Sequence, residues 1–143
     1  MAALVRHTAY STSLSYGAER YYLEVTLQGA GGAALTVQAT NDANNPPGSA
    51  EIASITRSSQ GIFVCTLLDA YYAVIYASAD LDDTANDGSY ATIGNWTNLQ
   101  TSTPATFTIR TWNASGGAKI DPAQGRAVRV AVAFKKTFTG QAA

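Results

Sequence analysis

The feature that most constrains this chain is a two-residue alternation of apolar and polar side chains that recurs along its length, with almost no segment of helical period. In residues 21–28, Tyr21, Leu23, Val25 and Leu27 alternate with Tyr22, Glu24, Thr26 and Gln28. Side chains of an extended strand point to opposite faces in turn, so this segment reads as a strand with one face on a core. Leu35, Val37 and Ala39 repeat the pattern after Gly29-Ala30-Gly31-Gly32, where glycine supplies the positive φ of a tight reversal, and a hairpin is predicted. Phe107, Ile109 and Thr111 alternate with Thr108, Arg110 and Trp112, as do Val128, Val130, Val132 and Phe134 with Ala127, Arg129, Ala131 and Ala133. These two strands are expected to pair antiparallel.

Other segments read less cleanly. Residues 61–68 and 71–78 are apolar almost throughout, the pattern of strands covered on both faces. In 49–57, Ile52 and Ile55 stand at helical spacing after Ser49, and the stretch reads as a short turn or irregular strand. Residues 41–48 hold Pro46-Pro47-Gly48 after an Asn/Asp run and read as a surface loop. Residues 80–88 read as an acidic loop, and 89–103, with Trp96, as loop with edge strands. The 113–126 connection exceeds what a tight hairpin needs, a length class rich in partner-contacting loops. Roughly seven or eight short strands at regular spacing predict an all-β fold, a single-domain antiparallel β-sandwich or jelly roll over residues 16–143. Its expected core is Leu23, Val25, Leu27, Leu35, Val37, Ile109, Val128, Val130, Val132 and Phe134. Residues 1–15 read as an N-terminal arm.

Composition narrows the function. Only 13% of the 143 residues are charged and the formal net charge is -1, so the basic footprint of a nucleic-acid or anionic-membrane binder is missing and neither partner is expected. The N-terminus carries no apolar stretch of signal-peptide length, so synthesis in the cytoplasm is expected. A single Cys65 and a single His7 leave no material for a disulfide, a Cys-based zinc cluster or a well-placed Ser-His-Asp triad, and no cofactor is expected. Asp80, Asp82, Asp83 and Asp87 are the oxygen ligands calcium prefers, but no Glu closes the loop at EF-hand spacing, and a solvated turn accounts for them. Glu19, Glu24 and Glu51 are not brought to the separation of a glycosidase pair by anything in the sequence. The protein is therefore expected to be no enzyme.

The aromatics lead further. Adjacent pairs such as Tyr21-Tyr22 and Tyr71-Tyr72 send one ring of each pair out of the core, where tyrosine suits a protein interface or a sugar-stacking platform. Tyr71, Tyr72, Val74 and Tyr76 are expected at a homo-oligomer contact, because a small chain cannot cover a strand that is apolar on both faces. Leu4, Val5, Arg6, His7 and Tyr10 of the arm are expected to touch a neighbouring subunit or other partner.

The stretch 107–134, Phe-Thr-Ile-Arg-Thr-Trp through Ala-Val-Arg-Val-Ala-Val-Ala-Phe, resembles the closing strands of small tailed-bacteriophage head proteins, among them capsid decoration (cement) proteins. Residues 35–42, Leu-Thr-Val-Gln-Ala-Thr-Asn-Asp, are similar to a strand and turn of phage structural β-sandwiches. The resemblance implies a homotrimer on the outer capsid surface of the virion, bound to the major capsid protein at local threefold sites. A carbohydrate- or receptor-binding β-sandwich of a head fibre or tail, stacking sugars on Trp96, Trp112 and outward tyrosines, is the alternative.

Overall fold

The alternating segments become eight strands: β1 (Arg20–Gln28), β2 (Thr36–Val37), β3 (Ile52–Ser59), β4 (Ile62–Leu67), β5 (Ala73–Asp82), β6 (Tyr90–Thr97), β7 (Thr106–Trp112) and β8 (Ala127–Lys135). They belong to a computed structural model that describes residues 20–37, 51–82, 88–115 and 117–135. Two antiparallel four-stranded sheets, ordered β2-β1-β8-β5 and β3-β4-β7-β6, pack face to face. The all-β sandwich expected from the periodicity is the fold. Leu23, Val25 and Leu27 of β1 and Val128, Val130, Val132 and Phe134 of β8 meet Phe63, Cys65 and Leu67 of β4 and Phe107 and Ile109 of β7 in one buried core. Of the ten expected core residues only Val37 is partly exposed.

One expectation is corrected. β7 and β8 do not pair: β7 lies between β4 and β6, and β8 lies between β1 and β5. Their facing rows meet across the core, and the connection between them crosses from sheet to sheet over one end of the sandwich. Alternation alone sets which face is apolar, not which strand is the neighbour.

The irregular segments are strands with bulges. Register shifts fall between Ile52 and Ser54 in β3, Val74 and Tyr76 in β5, and Gly94 and Thr97 in β6. An extra residue reverses the phase of the alternation, so Ile52 with Ile55, Val74 with Ala77, and Ile93 with Trp96 all pack inward at a spacing of three. All three are edge strands, where bulges also discourage pairing with another chain. The helical spacing in 49–57 is this bulge, and the 80–88 stretch begins not as a loop but as the last residues of β5.

The crossing segment ties the turns together. Asp121 accepts Arg57 Nε at 2.9 Å, Arg57 Nη2 at 2.8 Å and the Gly61 N–H at 3.0 Å, while Pro122 is buried beneath the β1–β2 turn. The bond from Arg57, helped by the Gly61 amide, holds the Asp121 carboxyl below its ordinary value of 3.8. A carboxyl with a lowered folded pKa contributes stability above its unfolded pKa and loses it as pH falls through the folded one. Asp121→Asn keeps one acceptor but loses the charge-assisted fork. Screened by solvent, the pair contributes little more than an exposed ion pair, so the change should cost under about 1 kcal/mol near pH 7 and vanish once the pH is below both values, which melting curves from pH 7 to 2 will read.

Cys65 is fully buried, and burial pushes its thiol up to about 12. The thiolate is the reactive form, so a disulfide-exchange reagent at pH 8 should label Cys65 only as fast as the protein unfolds, and rapid stoichiometric labelling in denaturant should follow.

Candidate functional site

The four residues expected at an oligomer contact do not form one outward stripe. Tyr71 is 2% exposed and stacks on Phe134 with ring centroids 4.1 Å apart. Its hydroxyl points at Glu51 Oε2, 3.5 Å away, and burial with the adjacent carboxylates pushes its pKa well up. Val74 packs against the core. Tyr72 is half-buried under the Lys135 ammonium, 5.5 Å from its ring centre. Only Tyr76 is open, at 52% exposure. The β5 bulge is the cause, because it turns Val74 inward and Tyr76 outward. Leu4, Val5, Arg6, His7 and Tyr10 lie outside the described residues, as do Asp83 and Asp87.

Asp80 and Asp82 do not face a metal site. Both point from the outer face of β5 toward β8, where Arg129 Nη1 donates to Asp80 and Nη2 to Asp82, each at 3.1 Å. Among the described residues no three His, Cys, Asp or Glu side chains converge to hold a metal ion.

The strand register places this triad in a larger feature. Across the outer face of β1-β8-β5, Glu24, Ala131 and Ser78 stand side by side, and the next row is Thr26, Arg129 and Asp80. The alanine between longer neighbours leaves a trough of about 420 Å³ lined by these residues. Tyr22 and Tyr76 flank Ala133 in the row beyond, 54% and 52% exposed. Glu24 has no hydrogen-bond or ion-pair partner, since Arg129 is drawn to the β5 side by its two aspartates.

The opposite face of the sandwich has another character. The outward residues of β3-β4-β7-β6 include Thr56, Val64, Thr66, Thr106 and Thr108, and the only charged side chain that these strands send outward is Arg110. At one end Tyr90 stacks on Trp112 with centroids 6.2 Å apart and planes 15° apart. Lys119 Nζ lies 4.5 Å from the centre of the Trp112 ring, and Trp112 Nε1 donates to Thr92 at 3.2 Å. Tyr90 comes from the strand on one side of Trp112 and Lys119 from the segment on the other, so the indole is flanked on both sides. Trp96 is not a platform: it is turned into the core against Phe107 and Phe134.

Comparison with protein-family models, with curated proteins and with solved structures returned no match. Of the charged side chains described, Glu24 and Arg110 are the two without a partner. Alternation places both on outward faces. Sequence reasoning missed Glu24 as a site residue because Ala131 and Ser78, which shape its surroundings, are remote in sequence and meet it only through the insertion of β8 between β1 and β5.

Proposed function

We propose that the chain is a non-enzymatic virion structural protein that decorates an icosahedral bacteriophage capsid by binding the major capsid protein at local threefold sites, as a homotrimer on the outer surface. The outer face of β3-β4-β7-β6 carries this reading: it is four strands wide, β-branched and nearly uncharged. Burying such a face against another protein strands few charges and immobilises few long side chains. Thr and Val at the strand positions already have restricted rotamers, so little freedom is lost on contact. The work done is linkage. A protein that binds only the assembled shell stabilises it in proportion to RT ln(1 + [L]/Kd), and many copies add.

The test is the melting of expanded shells made from the major capsid protein of the same genome. Saturating amounts of the chain should raise the shell's melting temperature, with the chain at threefold positions in electron micrographs. Shells that melt unchanged would overturn the reading. The second reading, a glycan- or receptor-binding module of a head fibre or tail, is favoured by Tyr90, a residue 46% exposed at the end of the Tyr90–Trp112 stack. Saturable binding to a glycan array that Tyr90→Ala removes would decide for it.

A further inference from the structure

We infer that the trough on the outer face of β1-β8-β5 receives a basic side chain, an arginine by its shape, presented by a partner protein. The inference deepens the docking reading above by naming the chemistry that the partner must bring. Three observations meet at this place. The trough of about 420 Å³ has a small residue, Ala131, at its centre, with Glu24 on one side and Ser78 on the other. The flanking strands stand two spacings apart, about 10 Å between backbones, which admits one flat group but not a second strand. The Glu24 carboxylate is unpaired, and the only cation that shares the trough lining, Arg129, is already held by Asp80 and Asp82 at 3.1 Å. The four groups together carry two negative charges in excess.

A guanidinium entering over Ala131 satisfies every group it meets. Its planar edge matches the two oxygens of Glu24 in a fork, and the Ser78 hydroxyl oxygen accepts on the far side. Tyr22 and Tyr76, roughly half exposed in the adjoining row, put aromatic surface within reach of a cation or of the aliphatic stem behind it. Lys135, in the row beyond them, is turned onto the Tyr72 ring. A carboxylate ligand meets the reverse of all this, because the Arg129 guanidinium is already shared between Asp80 and Asp82 and Glu24 repels a second anion. Desolvating Glu24 without a cation would cost free energy, so a purely apolar partner is also a poor fit.

The probe is N-acetyl-arginine amide, titrated to tens of millimolar into the full chain and followed by amide chemical shifts, with N-acetyl-aspartate amide as the opposite charge. The arginine derivative should shift Glu24, Ser78 and Ala131 in a saturable way, and Glu24→Gln should weaken that response about tenfold while the melting temperature stays within a few degrees. Shifts unchanged in Glu24→Gln, shifts centred elsewhere, or an equal response to the aspartate derivative would each overturn the inference. Concentration-dependent self-association abolished by Arg110→Gln would give the trough to a second copy and overturn its assignment to another protein. Shell binding separates this inference from the reading it rests on. Shells that retain Glu24→Gln as well as the parent chain sink the trough alone. Shells that retain neither, with the arginine derivative still bound at Glu24, sink the virion reading alone.

Discussion

Phe134→Ala is expected to lower stability by about 3–5 kcal/mol and the melting temperature by roughly 10 °C or more. The ring is fully buried, stacks on Tyr71 with centroids 4.1 Å apart and stands perpendicular to Trp96 at 5.7 Å. It therefore joins β8 to an edge strand of the other sheet and to the segment before β5. Its truncation loses the transfer energy of the ring and leaves a cavity that its two aromatic neighbours cannot collapse into. Tyr71 would also lose the partner that keeps its phenol inside the core. Leu68→Ala, at a residue 55% exposed, is the comparison: it should cost under about 0.5 kcal/mol in the same denaturation series.

The second large effect is expected at the β3–β4 turn. Gly61 adopts φ +64°, and an added Cβ would lie 2.7 Å from the Ile120 carbonyl oxygen, 2.8 Å from the Ile120 nitrogen and 2.8 Å from the Thr111 oxygen. These are backbone atoms already bonded to one another and to the turn: the Thr111 N–H donates to Gly61 at 3.0 Å and the Ile120 N–H to Thr111 at 3.0 Å. They cannot step aside without breaking the strap that closes the sandwich. Gly61→Ala should therefore cost about 3–5 kcal/mol, the sum of left-handed strain and overpacking. Gly117 has a similar φ of +67° but nothing within 4 Å of its would-be Cβ. Gly117→Ala should cost about 1–2 kcal/mol, the strain alone. Urea denaturation of the pair separates the two contributions, and equal losses would refute the close-approach account.

The strand faces were legible because alternation is a local property. Leu23, Val25 and Leu27, and Val128, Val130, Val132 and Phe134, could be assigned to the core without knowing any partner. What was not legible has three physical sources. Bulges in β3, β5 and β6 turn an alternation of two into a spacing of three, which makes Ile52 and Ile55 look helical and sends Trp96 inward and Tyr76 outward. Strand neighbours depend on chain crossings, so β7 and β8 look like a hairpin although they lie in opposite sheets. The trough, finally, is a hole over Ala131, and a small residue carries no signal of its own until the longer side chains beside it are known.

The 113–126 connection shows the same limit from the other side. Its length marked it as a candidate contact loop, yet Asp121, Pro122 and Ile120 spend their interactions on Arg57, Gly29 and Gly61 of the same chain. Length registers that a loop has something to do. Only the packing says that here it fastens two turns.

The measurement that tests the account most directly is sedimentation of the purified chain with expanded shells of the neighbouring major capsid protein, comparing the parent chain with Val64→Glu. Val64 is half-buried at the middle of the nearly uncharged outer face, so a carboxylate there is tolerated by the fold and penalised by burial in a contact. The account predicts that the parent chain travels with the shells, that Val64→Glu stays behind, and that both melt within a few degrees of each other. A parent chain that remains at the top of the gradient, or a Val64→Glu variant that travels with the shells equally well, would contradict it.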